Sequence, residues 1–278
     1  MLAPTVPRRT SLPTTLSFAH DPIGGLTRFG QDFGSNYYLY VGGVEKSLIT
    51  TDPKVAQHVL QRNHRAYEKS HLQTEQVSRY VGKGLLDNTG ASWLRQRRLI
   101  QPGFHRQRLE ALTQIMQSVI DQEGERLANR LKKAGPQVDM YDEMLNIAFR
   151  VVARAIFSED INEDELVDFG DKITQIQEHV IREVRLPFLR WFFKISGKQA
   201  RYLQLSQDIL NTQRQFINRR KEAKITRDDL LQMLLDSRYE DSGLPMEEQQ
   251  LIEETGILFV AVHETSANAL SRIFYLLA

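Results

Sequence analysis

The 278-residue chain contains no cysteine. Disulfides, Cys-based zinc sites, iron–sulfur clusters and thiolate nucleophiles or ligands are therefore excluded within these residues. An excess of either charge is also missing, since 36 basic residues stand against 35 acidic ones for a formal net charge of +1. That balance gives no overall attraction to nucleic acid. Long apolar runs are lacking at the start, where proline and threonine interrupt Met1 to Gly25, so neither a signal-peptide core nor a transmembrane anchor is expected there. Arg8-Arg9 has no downstream apolar stretch of the kind a twin-arginine signal requires and reads as a solvated arm. A soluble, cytoplasmic protein is expected. No Gly-rich phosphate loop, fixed-period repeat or low-complexity tract occurs.

What is present suffices for a large core: 41% of residues are apolar, and the 26% that are charged are mixed in sign, as on an ordinary soluble surface. Tyr37 to Thr50 combines aromatic and β-branched residues around Gly42-Gly43, the pattern of a hairpin and the only clear strand signal. Asp52-Pro53 supplies an N-cap and a first-turn proline, so a helix is expected there. Val81 to Gly90 is rich in glycine and turn formers and reads as a loop leading into a helix that begins near Ser92. Beyond Phe104 helical periodicity dominates, with helices expected over 109–133, 141–157, 163–184, 198–224, 227–237 and 246–278. The architecture is mainly α.

The last of these is the most informative. Gly256 to Val262 and Leu270 to Ala278 are apolar nearly all round, as in a helix buried within a domain. His263-Glu-Thr-Ser-Ala-Asn interrupts them with a polar island, which weakens a membrane-spanning reading. Burying such groups unpaired costs roughly 1–3 kcal/mol each, so the island requires a local polar network or a function. Ala278 follows an apolar run without a capping glycine or basic last turn, from which a cut through a core helix is expected.

Two spacings carry chemistry. Trp93 and Arg97 are four apart, so on a helix an indole N–H and a guanidinium project from one face and can converge on one carboxylate. A core tryptophan beside a solvated arginine is the alternative. Thr265 lies four residues after Ala261, so its hydroxyl can bond back to that carbonyl and widen the helix locally. Glu264 places an ionisable group in an apolar helix, where burial would raise its pKa toward a proton-relaying range; a structural salt bridge is the alternative. His263-Glu264 is not a zincin motif because Ala267 occupies the second histidine's place. Glu68-x-x-His71 stands alone, where a di-iron bundle requires two such motifs.

These residues resemble the cytochrome P450 family, whose oxygen-binding helix reads (Ala or Gly)-Gly-x-(Asp or Glu)-Thr-(Thr or Ser). Ala261-Val-His-Glu-Thr-Ser fits all but one position, and Gly84 to Arg98 with Pro102-Gly-Phe resembles the family's loop and C helix. The hairpin, the Asp52-Pro53 helix, Phe149 to Phe157 and Asp229 to Leu235 extend the likeness through almost the whole chain. The resemblance implies a P450-like helical fold with a small N-terminal β-hairpin region. Residues 1–278 would be the N-terminal part of a single incomplete domain, truncated in or just after the central helix. It implies haem b (heme, iron protoporphyrin) as cofactor, with Trp93 and Arg97 binding a propionate. Ala261 would line the distal face, and Glu264 with Thr265 would be the catalytic acid–alcohol pair that delivers protons for O–O cleavage.

The implied reaction inserts one oxygen atom from O2 into a small hydrophobic organic substrate, with electrons from a ferredoxin- or flavodoxin-type donor. Leu85 and Leu86 would approach haem or substrate, or simply pack. Leu186 to Phe193 resembles the family's lid over the substrate entrance, with core anchoring or membrane dipping as alternatives. Arg95, Arg98, Arg106 and Arg108 would dock the electron donor or form a solvated basic face. Val262 departs from the pattern, standing where glycine is usual, and could intrude on the oxygen groove. The family's Glu-x-x-Arg motif and cysteine loop do not occur, so no metal ligand is assigned and the chain by itself is expected to be inactive. A non-catalytic scaffold that has lost its haem is the rival reading.

Overall fold

The computed structural model describes residues 3–7, 20–41, 45–135, 137–158 and 161–278. Its elements in chain order are α1 (Pro22–Phe33), β1 (Asn36–Val41), β2 (Glu45–Thr50), α2 (Pro53–Gln57), α3 (Ser78–Val81), α4 (Gly90–Ile100), α5 (Arg106–Ala134), α6 (Met140–Phe157), α7 (Glu163–Arg185), α8 (Arg190–Ile195), α9 (Lys198–Ala223), α10 (Leu230–Asp236) and α11 (Glu248–Leu277). The mainly helical expectation holds, with one antiparallel β1–β2 pair among the described residues. Contacts divide the chain into two compact units, residues 1–72 with 177–203 and residues 73–176 with 204–278.

In the first unit, β1 and β2 pair with Tyr37 opposite Ile49 and Leu39 opposite Ser47. Alternation along β1 turns Tyr37 and Leu39 inward, where they form a small core with Val6, Phe29 and Phe33. Sequence reading missed α1, although Asp21-Pro22 repeats the Asp52-Pro53 signal: the Asp21 carboxylate accepts from Gly24 N–H at 2.9 Å. Val6 N–H donates to Tyr38 O at 2.9 Å and the Val6 side chain is buried. Arg8-Arg9 and the Gly42-Gly43 turn lie outside the described residues. His71 of the lone Glu-x-x-His motif turns to Glu45 instead, Nε2 to Oε1 at 3.0 Å.

Leu186 to Phe193 folds into a short 3-10 turn, Pro187–Leu189, running into α8. Phe193 is buried against His179, which also stacks on Tyr202 with ring centroids 3.9 Å apart, while Trp191 and Ile195 are exposed. Core anchoring therefore applies to Phe193. Burial holds the His179 imidazole below its usual pKa.

The second unit contains the main core. Phe149, Phe157, Phe169, Phe216 and Phe259, from α6, α7, α9 and α11, form a ring cluster with centroid separations from 5.0 to 6.4 Å. Edge-to-face and tilted packing of this kind adds to simple area burial. Caps set most helix limits: Asp139 accepts from Tyr141 N–H at 2.8 Å, and Gly135, with φ +97°, ends α5. The helix expected over 227–237 is the shorter α10 because Asp229 is its N-cap, accepting from Gln232 N–H at 2.9 Å.

The central helix α11 departs from its pattern. Its first half is buried at Leu251, Ile252, Ile257 and Phe259, but Ile273, Tyr275, Leu276 and Leu277 are 51–78% exposed. Apolar composition records a preference for burial, whereas burial itself requires a partner surface, and none among the described residues covers this end. No helix among the described residues is long and apolar enough to cross a membrane.

Between α9 and α11 the amide of Gln213 is fully buried, and neither its oxygen nor its nitrogen has a hydrogen-bond partner. It occupies space left by Gly256, where a Cβ would stand 3.1 Å from the amide nitrogen. Leucine has a similar volume and no polar atoms to desolvate, so Gln213→Leu in the full-length protein is expected to be neutral or to stabilise by about 1 kcal/mol. A denaturant midpoint corresponding to a loss above that size would show that the amide is satisfied in solution.

Candidate functional site

The site expected from sequence falls on α4, α11 and the glycine-rich loop at residues 82–89, all within the second unit. α4 carries Trp93, half-buried, and Arg97, exposed, on one face as their spacing requires. Arg97 forms no ion pair with any described residue. Its guanidinium opens on a pocket of about 370 Å³ walled by Leu85, Ile100, Phe104, Ile257 and Leu258. Leu86, by contrast, is 37% exposed and absent from that wall.

On α11, Thr265 Oγ1 donates to Ala261 O at 2.9 Å and also contacts Val262 O at 3.1 Å, the back-bond that the four-residue spacing predicts. Ala261 and Glu264 are half-buried, and the Val262 side chain is 39% exposed. Glu264 lies within electrostatic reach of Tyr141: burial pushes that phenol's pKa up, and the Glu264 charge adds to the effect. The fully buried titratable group of the motif is His263, which sequence reading treated only as a failed zinc ligand. Its Nδ1–H donates to Phe259 O at 2.8 Å, its ring meets Phe149 edge-on at 5.7 Å, and burial holds its pKa down. With α6 and α7 it borders a separate cavity of about 230 Å³. His263 recurs on the opposite side of the helix from Ala261 and Thr265, and that angular offset was readable from sequence.

Of the four arginines considered for docking, two are engaged. Arg95 donates to both Asp241 oxygens at 3.1 and 3.2 Å and lies 3.8 Å over the Tyr239 ring; Arg106 pairs with Glu110 one turn on. Arg98 and Arg108 are exposed.

Sequence reading also missed Glu253 and Glu254. Glu254 is 2% exposed, and its Oε2 accepts from Leu85 N–H at 3.0 Å while Oε1 accepts from Gln250 Nε2 at 2.9 Å. Glu253 Oε2 accepts from Lys83 N–H at 3.0 Å. Charge within a helix gave no sequence signal that its acceptors were backbone amides of a loop about 170 residues away.

An apolar wall edged by a guanidinium without an ion-pair partner among the described residues fits one border of a flat apolar group bearing carboxylates, as haem is. A long helix with a hydroxyl back-bonded in mid-course is set in an all-helical unit. The chain matches the heme domain of cytochrome P450DA with a TM-score of 0.80 at 16% identity, covering 99% of this chain and 60% of that one, a likeness of fold. The family model described as Cytochrome P450 matches residues 5–278, and the chain belongs to that family.

Curated relatives include cytochrome P450 97B1, chloroplastic, of Pisum sativum, 26% identical over 89% of this chain and 48% of its own length. Protein LUTEIN DEFICIENT 5, chloroplastic, of Arabidopsis thaliana is 29% identical over 84% of this chain and 41% of its own length. Pentalenene oxygenase of Streptomyces avermitilis is 27% identical over 85% of this chain and 51% of its own length. The chain thus spans about half the length of the curated relatives it matches.

Proposed function

We propose that residues 1–278 are the N-terminal part of a single P450 domain, and that the complete protein is a haem-thiolate monooxygenase acting on a small hydrophobic organic substrate. The observation that carries this reading is the Thr265-to-Ala261 back-bond on a helix whose family match runs through the whole second unit. Haem b, when bound, supplies the redox chemistry that activates O2. Trp93 and Arg97 bind and orient a propionate through their N–H donors. Ala261 leaves room at the distal surface. Thr265 holds its hydroxyl at a helix groove while its own proton is directed to the Ala261 carbonyl, and the neighbouring Glu264 carboxyl would relay protons. The apolar walls at Leu85, Ile257 and Leu258 exclude water.

Without a cysteine, these residues cannot form a thiolate–iron bond, so the chain by itself is inactive on this reading. The same fact supports a second reading, a non-catalytic scaffold. We assign electron delivery to a ferredoxin- or flavodoxin-type donor, on the strength of exposed Arg98 and Arg108. Mixed surface charge supports a cytoplasmic location, which cell fractionation checks; two of the relatives above carry chloroplastic names. The deciding experiment is a spectrum of the longest expressed protein, reduced and exposed to carbon monoxide. A red-shifted Soret band of thiolate-ligated haem is expected, and a protein that takes up no haem would establish the scaffold.

Val262 offers a finer test. Its side chain is partly exposed and lies about 100° around the helix from Ala261, so on this reading it stays clear of the groove at that residue. Val262→Gly in the full-length protein is therefore expected to change the ratio of hydrogen peroxide to product less than about threefold, the change that ~0.6 kcal/mol would produce. A larger fall in peroxide release would place the isopropyl group in the groove.

A further inference from the structure

Two consecutive carboxylates on α11 hold alternate N–H groups of the loop just before the turn at residues 85–87. Glu253 takes Lys83 N–H and Glu254 takes Leu85 N–H, each at 3.0 Å, and Gln250 Nε2 adds a contact to Lys83 O at 3.3 Å. The approach is so close that the loop requires glycine at both flanking positions. Gly82 has φ +87°, and a Cβ there would meet Glu253 Cγ at 2.6 Å. At Gly84 a Cβ would stand 2.6 Å from Ile257 Cγ1 and 3.1 Å from Glu254 Oε2. The glycine-rich loop is thus shaped to the side of the helix rather than free to move over it.

Helical spacing gives the clip its consequence. Residues 254, 258, 261 and 265 recur at four, seven and eleven positions, so Glu254, Leu258, Ala261 and Thr265 lie along one stripe of α11. Glu254, Leu258 and Leu85 also face the pocket on which Arg97 opens. The helix that carries the proposed oxygen-handling residues thus fixes a pocket wall about two helical turns before Ala261 and three before Thr265.

We propose that Glu254 is a positioning residue: its buried carboxylate, reinforced by Glu253, sets the Leu85 wall of the pocket at a fixed distance along the helix stripe that carries Ala261 and Thr265, and so governs how a substrate is oriented against that wall. The geometric part stands by itself; the part concerning substrate orientation rests on the monooxygenase reading. A carboxylate suits the task because it accepts from Leu85 N–H and Gln250 Nε2 together and buries no unused donor. Glutamine retains an acceptor for Leu85 N–H but turns its amide nitrogen toward the Gln250 amide; leucine retains neither.

The test uses the full-length protein and amide hydrogen exchange, with Glu254→Leu and Glu254→Gln beside the parent. Glu254→Leu is expected to speed exchange at Leu85 at least tenfold, with little change across α6 and α9. Glu254→Gln is expected to stay within about threefold of the parent, the change that ~0.6 kcal/mol would produce. Should Glu254→Leu fail to fold, Gly84→Ala displaces the loop from the helix while leaving the carboxylate in place, and predicts the same local rise. Unchanged exchange at Leu85, or a rise spread evenly over the helices, overturns the clip. In the same proteins the carbon monoxide spectrum reports haem binding independently. A protein that binds haem normally and whose Glu254→Leu variant loosens Leu85, yet forms the same ratio of product isomers as the parent, overturns the substrate-orienting role alone.

Discussion

Asp229→Ala should lower the stability of the full-length protein by about 3–5 kcal/mol, the range for removing one partner of a buried ion pair. Arg220 and Asp229 have 1% and 0% of their side chains exposed, and they meet by two parallel bonds of 2.6 and 3.0 Å. Asp229 further accepts the Ser158 hydroxyl at 2.5 Å and caps α10, while Arg220 donates to Phe157 O at 3.2 Å. One carboxylate thereby joins the end of α6, the last turns of α9 and the start of α10. Ser158 sits at φ +51°, a left-handed backbone unusual for serine, and its hydroxyl bond to Asp229 compensates part of that strain. Alanine would leave a buried guanidinium without its carboxylate. The paired change Arg220→Met with Asp229→Leu removes both charges and should recover all but about 1 kcal/mol, the cost of the lost cap. Denaturant midpoints decide it. Equal losses in the single and paired variants would show that packing, and not the ion pair, sets the cost.

On the monooxygenase reading, Thr265→Ala in the full-length protein should reduce product formation by roughly a hundredfold, the lower end of what a positioned group in general acid–base catalysis contributes. The hydroxyl is held by two carbonyls of its own helix, at 2.9 Å from Ala261 O and 3.1 Å from Val262 O, so its place does not depend on a mobile loop. Alanine removes the hydroxyl, and dioxygen consumption should continue with peroxide replacing product. Thr265→Ser retains the oxygen and should stay within about tenfold of the parent, since the group itself is kept and only its β-branched rotamer preference is lost. Product formation unchanged in the alanine variant would remove Thr265 from proton delivery. Thermal melts of both variants separate this from unfolding, because the side chain is exposed and its truncation costs little stability.

Several features were legible because they are local. The Asp52 cap, the glycine after α5 and the helical periodicities place the helices within a few residues of where they lie, whereas the Asp229 cap escapes sequence reading, which starts that helix two residues ahead of it. The Thr265 back-bond is likewise a property of one helix turn. The same reasoning overlooked α1, whose Asp-Pro signal sits in a stretch judged by its interrupted apolar runs. It also treated Arg95 as a docking charge, when Asp241 and Tyr239 already engage it from beyond α10.

The sequence by itself determined the helical class, the family and the two motifs, since each depends on residues within a turn or two of one another. Only the tertiary structure decided which groups meet across the chain: Arg220 with Ser158 and Asp229, Glu254 with Leu85, His263 against Phe149, and exposure where the end of α11 promised burial. The reason is physical. Propensity and capping act through neighbouring peptide units, whereas a buried carboxylate finds its partners only after helices distant in sequence have packed and excluded water.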